Sequence, residues 1–157
     1  MLLYLTLVGF LVTFLIWINL KNSNKSNIYL LFFLLINNIY ALSHYATIES
    51  KNRFLIAIML VHFAPVYLMA GPLLYFYVRA VLTDKIYIKK WDYLHFLPFV
   101  AVLINIYPFL IQPWSYKVDF ANQLHQNFLK IYDVHFYFIS FPIYFISRSI
   151  FSLVYIT

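Results

Sequence analysis

Cysteine is absent from the chain, which excludes disulfides, thiolate metal sites and cysteine nucleophiles but says nothing firm about compartment. Charge is scarce: acidic and basic residues together make up 10% of the sequence, against roughly a quarter in soluble domains. Two glycines and six prolines are too few for a collagen-like chain or a low-complexity linker, and no internal repeat occurs at solenoid periods. Also missing are a glycine-rich phosphate loop, a GxSxG elbow, an HExxH motif and paired intramembrane carboxylates, so no enzymatic activity is expected. No inverted repeat or charged pathway speaks for transport.

What fills the sequence instead is apolar. Of 157 residues, 64% are hydrophobic and 22% aromatic, and whole stretches are apolar on every side rather than along one stripe. With a mean hydropathy of +0.81, lipid is the expected solvent. The formal charge of +6 raises the question of nucleic acid, but the lysines and arginines fall in short connections between apolar runs. Basic loops beside anionic headgroups explain them without a specific partner, and no direct nucleic-acid contact is expected.

The expected fold is all-α, a polytopic transmembrane helical bundle of about five spans, at about 1–20, 28–46, 65–82, 93–111 and 134–155. The first run lacks the basic start and short apolar core of a secretory signal, and so reads as a retained span. The apolar stretch Phe54 to Thr83 is too long for one upright span, since thirty helical residues reach about 45 Å against a hydrocarbon core of about 30 Å. Pro65 suits a first helical turn, leaving 54–63 as a short interfacial or re-entrant helix, and Gly71-Pro72 should bend the span that follows. Pro98 and Pro108 should distort the fourth span, and Ser115 to Lys130 reads as a solvent-facing loop with a helical turn or more.

Loop charges set the orientation. Lys21, Lys25, Arg79, Lys85, Lys89 and Lys90 fall on one side, and the smaller set Lys51, Arg53, Lys117 and Lys130 on the other. The richer set belongs in the cytoplasm, which places the amino terminus outside and the end of the fifth span inside.

Polar residues within apolar runs are the candidate sites. Asn37 and Asn38 lie mid-span, where unpaired amides should face other helices; packing is the simpler role and a ligand site the sharper one. His44 follows on the same span, and Asn105 in the fourth is either a partner for them or a second packing amide. Arg148 stands out, because its charge needs water, a partner or headgroups; snorkelling to the cytoplasmic surface beside Ser147 and Ser149 competes with an internal anion or signalling contact. His44, His62, His125 and His135 would share the outer face, but their spacings form no HxxxH pair and acidic supporting groups are few, so no metal, haem or other cofactor is expected.

One pairing of segments is distinctive: Ala70-Gly71-Pro72-Leu73-Leu74-Tyr75-Phe76-Tyr77-Val78-Arg79, then, after a basic loop, Trp91-Asp92-Tyr93-Leu94-His95-Phe96-Leu97-Pro98-Phe99. It resembles the membrane-bound AraC-type regulators of bacteria, in which a GPLLYxYVR-like helix precedes an HFxPF-like helix start. The resemblance implies an amino-terminal domain of about seven spans in the inner membrane, followed by a cytoplasmic helix-turn-helix domain that contacts DNA. It further implies a sensory or anchoring role, with Gly71, Pro72, Tyr75, Arg79, His95 and Pro98 as a coupling and packing region and a homodimer as one possible state. The chain departs from that pattern by stopping after the fifth span, so it reads as a truncated regulator's membrane domain. The alternative is a free-standing small multi-pass membrane subunit with a structural or interaction role.

Overall fold

The computed structural model describes residues 1–22, 24–50, 52–134 and 136–155; Lys51 and His135, used above, lie outside them. Among the described residues the protein is helical, without strands. Eight α-helices follow in order: α1 (Leu2–Asn19), α2 (Asn27–Tyr45), α3 (Arg53–Met59), α4 (Ala64–Tyr67), α5 (Ala70–Thr83), α6 (Leu97–Leu110), α7 (Trp114–Gln126) and α8 (Phe141–Leu153). Tighter or wider turns extend several of them, with a π-helical turn at Ala46–Ser50 and 3₁₀ segments at Lys90–Phe96 and Phe128–Asp133. Among the described residues four helical segments are long and apolar enough to cross a membrane: Leu2–Asn22, Asn27–Ser50, Ala64–Thr83 and Lys90–Leu110.

Prolines set several of the boundaries. Pro65 lies in the first turn of α4, where its missing N–H leaves no bond unmade. The helix then breaks at Leu68 and Met69, before α5 begins. Pro72 gives the reason: it cannot donate to the Leu68 carbonyl, so the span bends just before the Gly71-Pro72 pair. Pro98 likewise sits in the first turn of α6 and does not distort a running helix; the 3₁₀ segment Lys90–Phe96 leads into it. Asp84, at φ 52°, ends α5 in the left-handed conformation that aspartate tolerates better than most residues.

Two expectations are corrected. The fifth span, 134–155, is helical only over Phe141–Leu153, whose 13 residues reach about 20 Å, short of a hydrocarbon core. The segment before it is held non-helical by Asn105, which accepts hydrogen bonds at Oδ1 from the backbone N–H groups of Phe138 and Ile139, both at 2.9 Å. Its amide donates to the Ile139 carbonyl at 2.8 Å. The second correction concerns 115–130, which is not a solvent-facing loop but mostly the amphipathic helix α7, with Lys117, Phe120, Ala121 and Leu124 buried.

Helix α2 is the hub, packing against α1, α3, α4 and α5; α3 rests on α7, α4 on α6, and α5 on α8. The apolar core lies toward one end, where Ile56, Val61, Ile106, Phe109, Phe120 and Leu124 meet. That end also gathers the amino terminus, whose ammonium lies 3.3 Å from Glu49. At the opposite end the start of α2 meets α5 through Tyr29 and Phe76, and the connection from α5 to α6 closes. Along α1 only Thr6 and Thr13 are buried, so nearly the whole helix turns apolar side chains outward, as a lipid-facing helix does.

Candidate functional site

Three polar arrangements interrupt the apolar packing, and each begins with a residue the sequence singled out. The first joins α1 to α2. Asn38 donates from Nδ2 to Thr13 Oγ1 at 2.7 Å, and Thr13 itself donates to the Gly9 carbonyl at 2.8 Å. Gly9 makes the approach possible, since a Cβ there would lie 2.0 Å from Asn38 Oδ1. Asn37, one position earlier, is exposed in a small groove that Tyr67, Ala70, Arg148 and Ser152 also line, and returns its amide to the Phe33 carbonyl of its own helix at 2.7 Å. Only one of the two asparagines therefore hydrogen-bonds another helix. Asn105 is not their partner, being spent on the backbone before α8.

The second arrangement closes the end between α5 and α6. Arg79 and Asp92 form a bidentate ion pair, Nη1 to Oδ1 at 2.8 Å and Nη2 to Oδ2 at 2.7 Å. Nη2 also donates to the Tyr87 carbonyl at 2.7 Å, so the guanidinium gathers the intervening loop as well. The rings of Tyr75, Phe76 and Tyr87 lie within about 5 Å of its carbon, in the range of cation–π attraction. The side chains of the pair are 12% and 6% exposed. Asp92 additionally accepts from the Lys89 backbone N–H, which caps the 3₁₀ segment.

Tyr155 docks beside this pair. Its hydroxyl shares a hydrogen bond with His95 Nδ1, its ring lies edge-on to His95, and Tyr75 completes the cluster. Gly71 provides the seat, because a Cβ there would lie 2.6 Å from the Tyr155 ring. The structure thus brings Gly71, Tyr75, Arg79 and His95 together, while Pro72 is buried in α5 and Pro98 only starts α6. Asp92 and Tyr155 escaped the sequence reading. Asp92 carried a signal, as an acid across a basic loop from a span-end arginine; Tyr155 carried none.

The third arrangement surrounds Arg148 on α8. Rather than running out past the helix end, its guanidinium turns inward, donates from Nη2 to the Tyr40 hydroxyl at 2.9 Å, and stacks over the Tyr40 and Phe145 rings at 4.6 and 4.9 Å. His44 lies edge-on to the same Tyr40 ring, with 4.5 Å between centroids. These groups form one wall of a cavity of about 880 Å³ between α2, α4, α7 and α8. His125 of α7 reaches the same cavity, whereas His62 packs on Phe109 outside it. Among the described residues no group of three or more histidines or carboxylates is placed to hold a metal ion.

Lys117 was also unforeseen. It is 8% exposed, donating to the Leu110 carbonyl at 2.8 Å with the Phe109 ring beneath it, and so caps the carboxy-terminal end of α6. No protein-family model, no curated protein and no solved structure matches the chain.

Proposed function

We propose that this chain is the sensory and anchoring membrane domain of a bacterial AraC-type transcriptional regulator. It crosses the inner membrane several times with its amino terminus outside, and it performs no catalysis. The supporting observation is the Arg79–Asp92 pair, which fastens together the two segments that carry the resemblance to that family, 70–79 and 91–99. In this reading the pair and its neighbours Tyr75, His95 and Tyr155 sit at the cytoplasmic end, beside the basic residues Lys85, Lys89 and Lys90. That is where a signal received in the bilayer must leave for a DNA-binding domain.

The experiment is Asp92→Asn, introduced into the chromosomal gene. Removing one partner of a shielded ion pair should cost on the order of 2 kcal/mol, the low end of the range because the pair lies at a helix end rather than in the core. We expect the variant to reach the membrane and to change the transcription of a small gene set in the same sense as deletion of the gene. Unchanged transcription in both strains, with the protein recovered in a stable complex with another membrane protein, would replace this reading by the free-standing subunit.

A further inference from the structure

Among the described residues three cations are drawn into this mostly apolar molecule, and two of them are accounted for. Arg79 has Asp92, and Lys117 has the carbonyl end of α6. Arg148 differs. It makes no ion pair among the described residues, and its contacts are the hydroxyls of Tyr40 and Tyr144 and aromatic faces. Its depth sharpens the point. On α8 Arg148 lies between two anchors, Tyr144, whose hydroxyl donates to the Ala64 carbonyl, and Tyr155, just past the helix end beside His95. Its partner Tyr40 is likewise interior to α2, thirteen positions beyond Asn27. A guanidinium at that depth needs a counter-charge far more than one near headgroups.

The cavity onto which Arg148 opens has the matching shape. Along α2 and the π-turn that continues it the lining runs from Tyr40 to Ile48, and on α8 from Arg148 to Phe141, about 10 to 12 Å on each side. Polar groups cluster around the cation, with His44 and Ser43 beside Tyr40. Leu60, Leu124, Ile131, Phe141 and Phe145 supply the apolar remainder. Its volume falls within the range of small-molecule sites, which are mostly apolar with few oriented polar groups.

We propose that this cavity binds an amphiphilic anion, an oxyanion headgroup on a medium-length apolar tail, with the headgroup on Arg148 and the Tyr40 hydroxyl and the tail along Leu124 and Ile131. The site supplies the signal receptor left unspecified by the sensor reading and rests on it only for that role. Binding to the purified chain is measured independently of transcription, so either idea can fail alone.

The test uses the full chain in nanodiscs of neutral phosphatidylcholine, with radiolabelled decanoate as probe, decanol as its uncharged counterpart and empty nanodiscs subtracted. Saturable decanoate binding at about one per chain is expected, with decanol at least tenfold weaker. Arg148→Gln should weaken decanoate at least tenfold. Leu124→Trp, which fills the apolar wall and leaves the cation in place, should abolish binding. Nanodiscs containing phosphatidylglycerol separate the two sources of such an anion: displacement of decanoate identifies a lipid headgroup as occupant, and undiminished binding identifies a free carboxylate. Equal binding of decanoate and decanol, or no saturable decanoate binding in either lipid, overturns the proposal, and this comparison in the unaltered chain stands even if a variant does not fold.

Discussion

Asn38 reaches α1 only because residue 9 has no side chain. The amide sits where the Cβ of any other residue at that position would be, so Gly9, Thr13 and Asn38 form a single contact rather than three independent features. Interhelical hydrogen bonds of this kind contribute about 0.6 kcal/mol on average within a membrane, and loss of close helix packing adds to that. Gly9→Ala should therefore destabilise the protein by about 1 to 2 kcal/mol, measured as a lower unfolding midpoint in mild detergent. Asn38→Ala should remove most of the penalty for Gly9→Ala, because the clashing atoms are then gone. Simple additivity of the two changes would show that Gly9 and Asn38 do not share one contact. The sequence marked both asparagines as needing a partner, but not that Asn37 would bond only its own helix. Both are polar and adjacent, and only the rotation of α2 against α1 distinguishes them.

At the scale of elements, the apolar runs were readable and the breaks within them only partly so. Pro65 and the polar turns around Lys21 and Lys25 mark boundaries by local chemistry, which is why they show in one dimension. The loss of helix before Phe141 depends on Asn105, more than thirty residues away, and no local signal announces it. In the same way α7 looks like a polar loop until α3 covers one of its faces, and Lys117 is buried where it caps α6. Asn105→Leu should release this clamp while keeping the apolar volume of α6. Faster amide hydrogen exchange at Phe138 and Ile139 than elsewhere is the expected outcome; unchanged protection there would mean that the backbone holds itself.

His62 gives the same region a dependence on pH. Burial against Phe109, with a smaller contribution from the positive charge of Lys117, lowers its pKa below the ordinary histidine value. The folded protein therefore holds this proton less readily than the unfolded chain, whose histidine titrates at about 6.5. The contribution to stability is full above that value and declines as pH falls toward and through the lowered folded pKa. Unfolding midpoints should drop between about pH 7 and pH 5 in the native sequence. In His62→Gln the drop should be smaller, and an identical acid limb in both would remove His62 from the account.

For the whole molecule, the packing separates two polar ends. The amino terminus and Glu49 pair at one end, where α3 rests on α7; the Arg79–Asp92 pair and the lysines around it lie at the other. Among the described residues four apolar helical segments run between or beside these ends. In the orientation proposed above, the lysine-rich end faces inside.

The absence of cysteine makes this directly measurable, since each introduced thiol reports alone. Asp119→Cys on the exposed face of α7 and Ile88→Cys in the exposed α5–α6 connection are the two positions of choice. A membrane-impermeant maleimide applied to intact cells should label residue 119 and leave residue 88 untouched until the inner membrane is opened. Labelling of residue 88 alone in intact cells would reverse the orientation, and labelling of both or neither would contradict a chain that places α3 and α7 on one side of the membrane and the Arg79–Asp92 pair on the other.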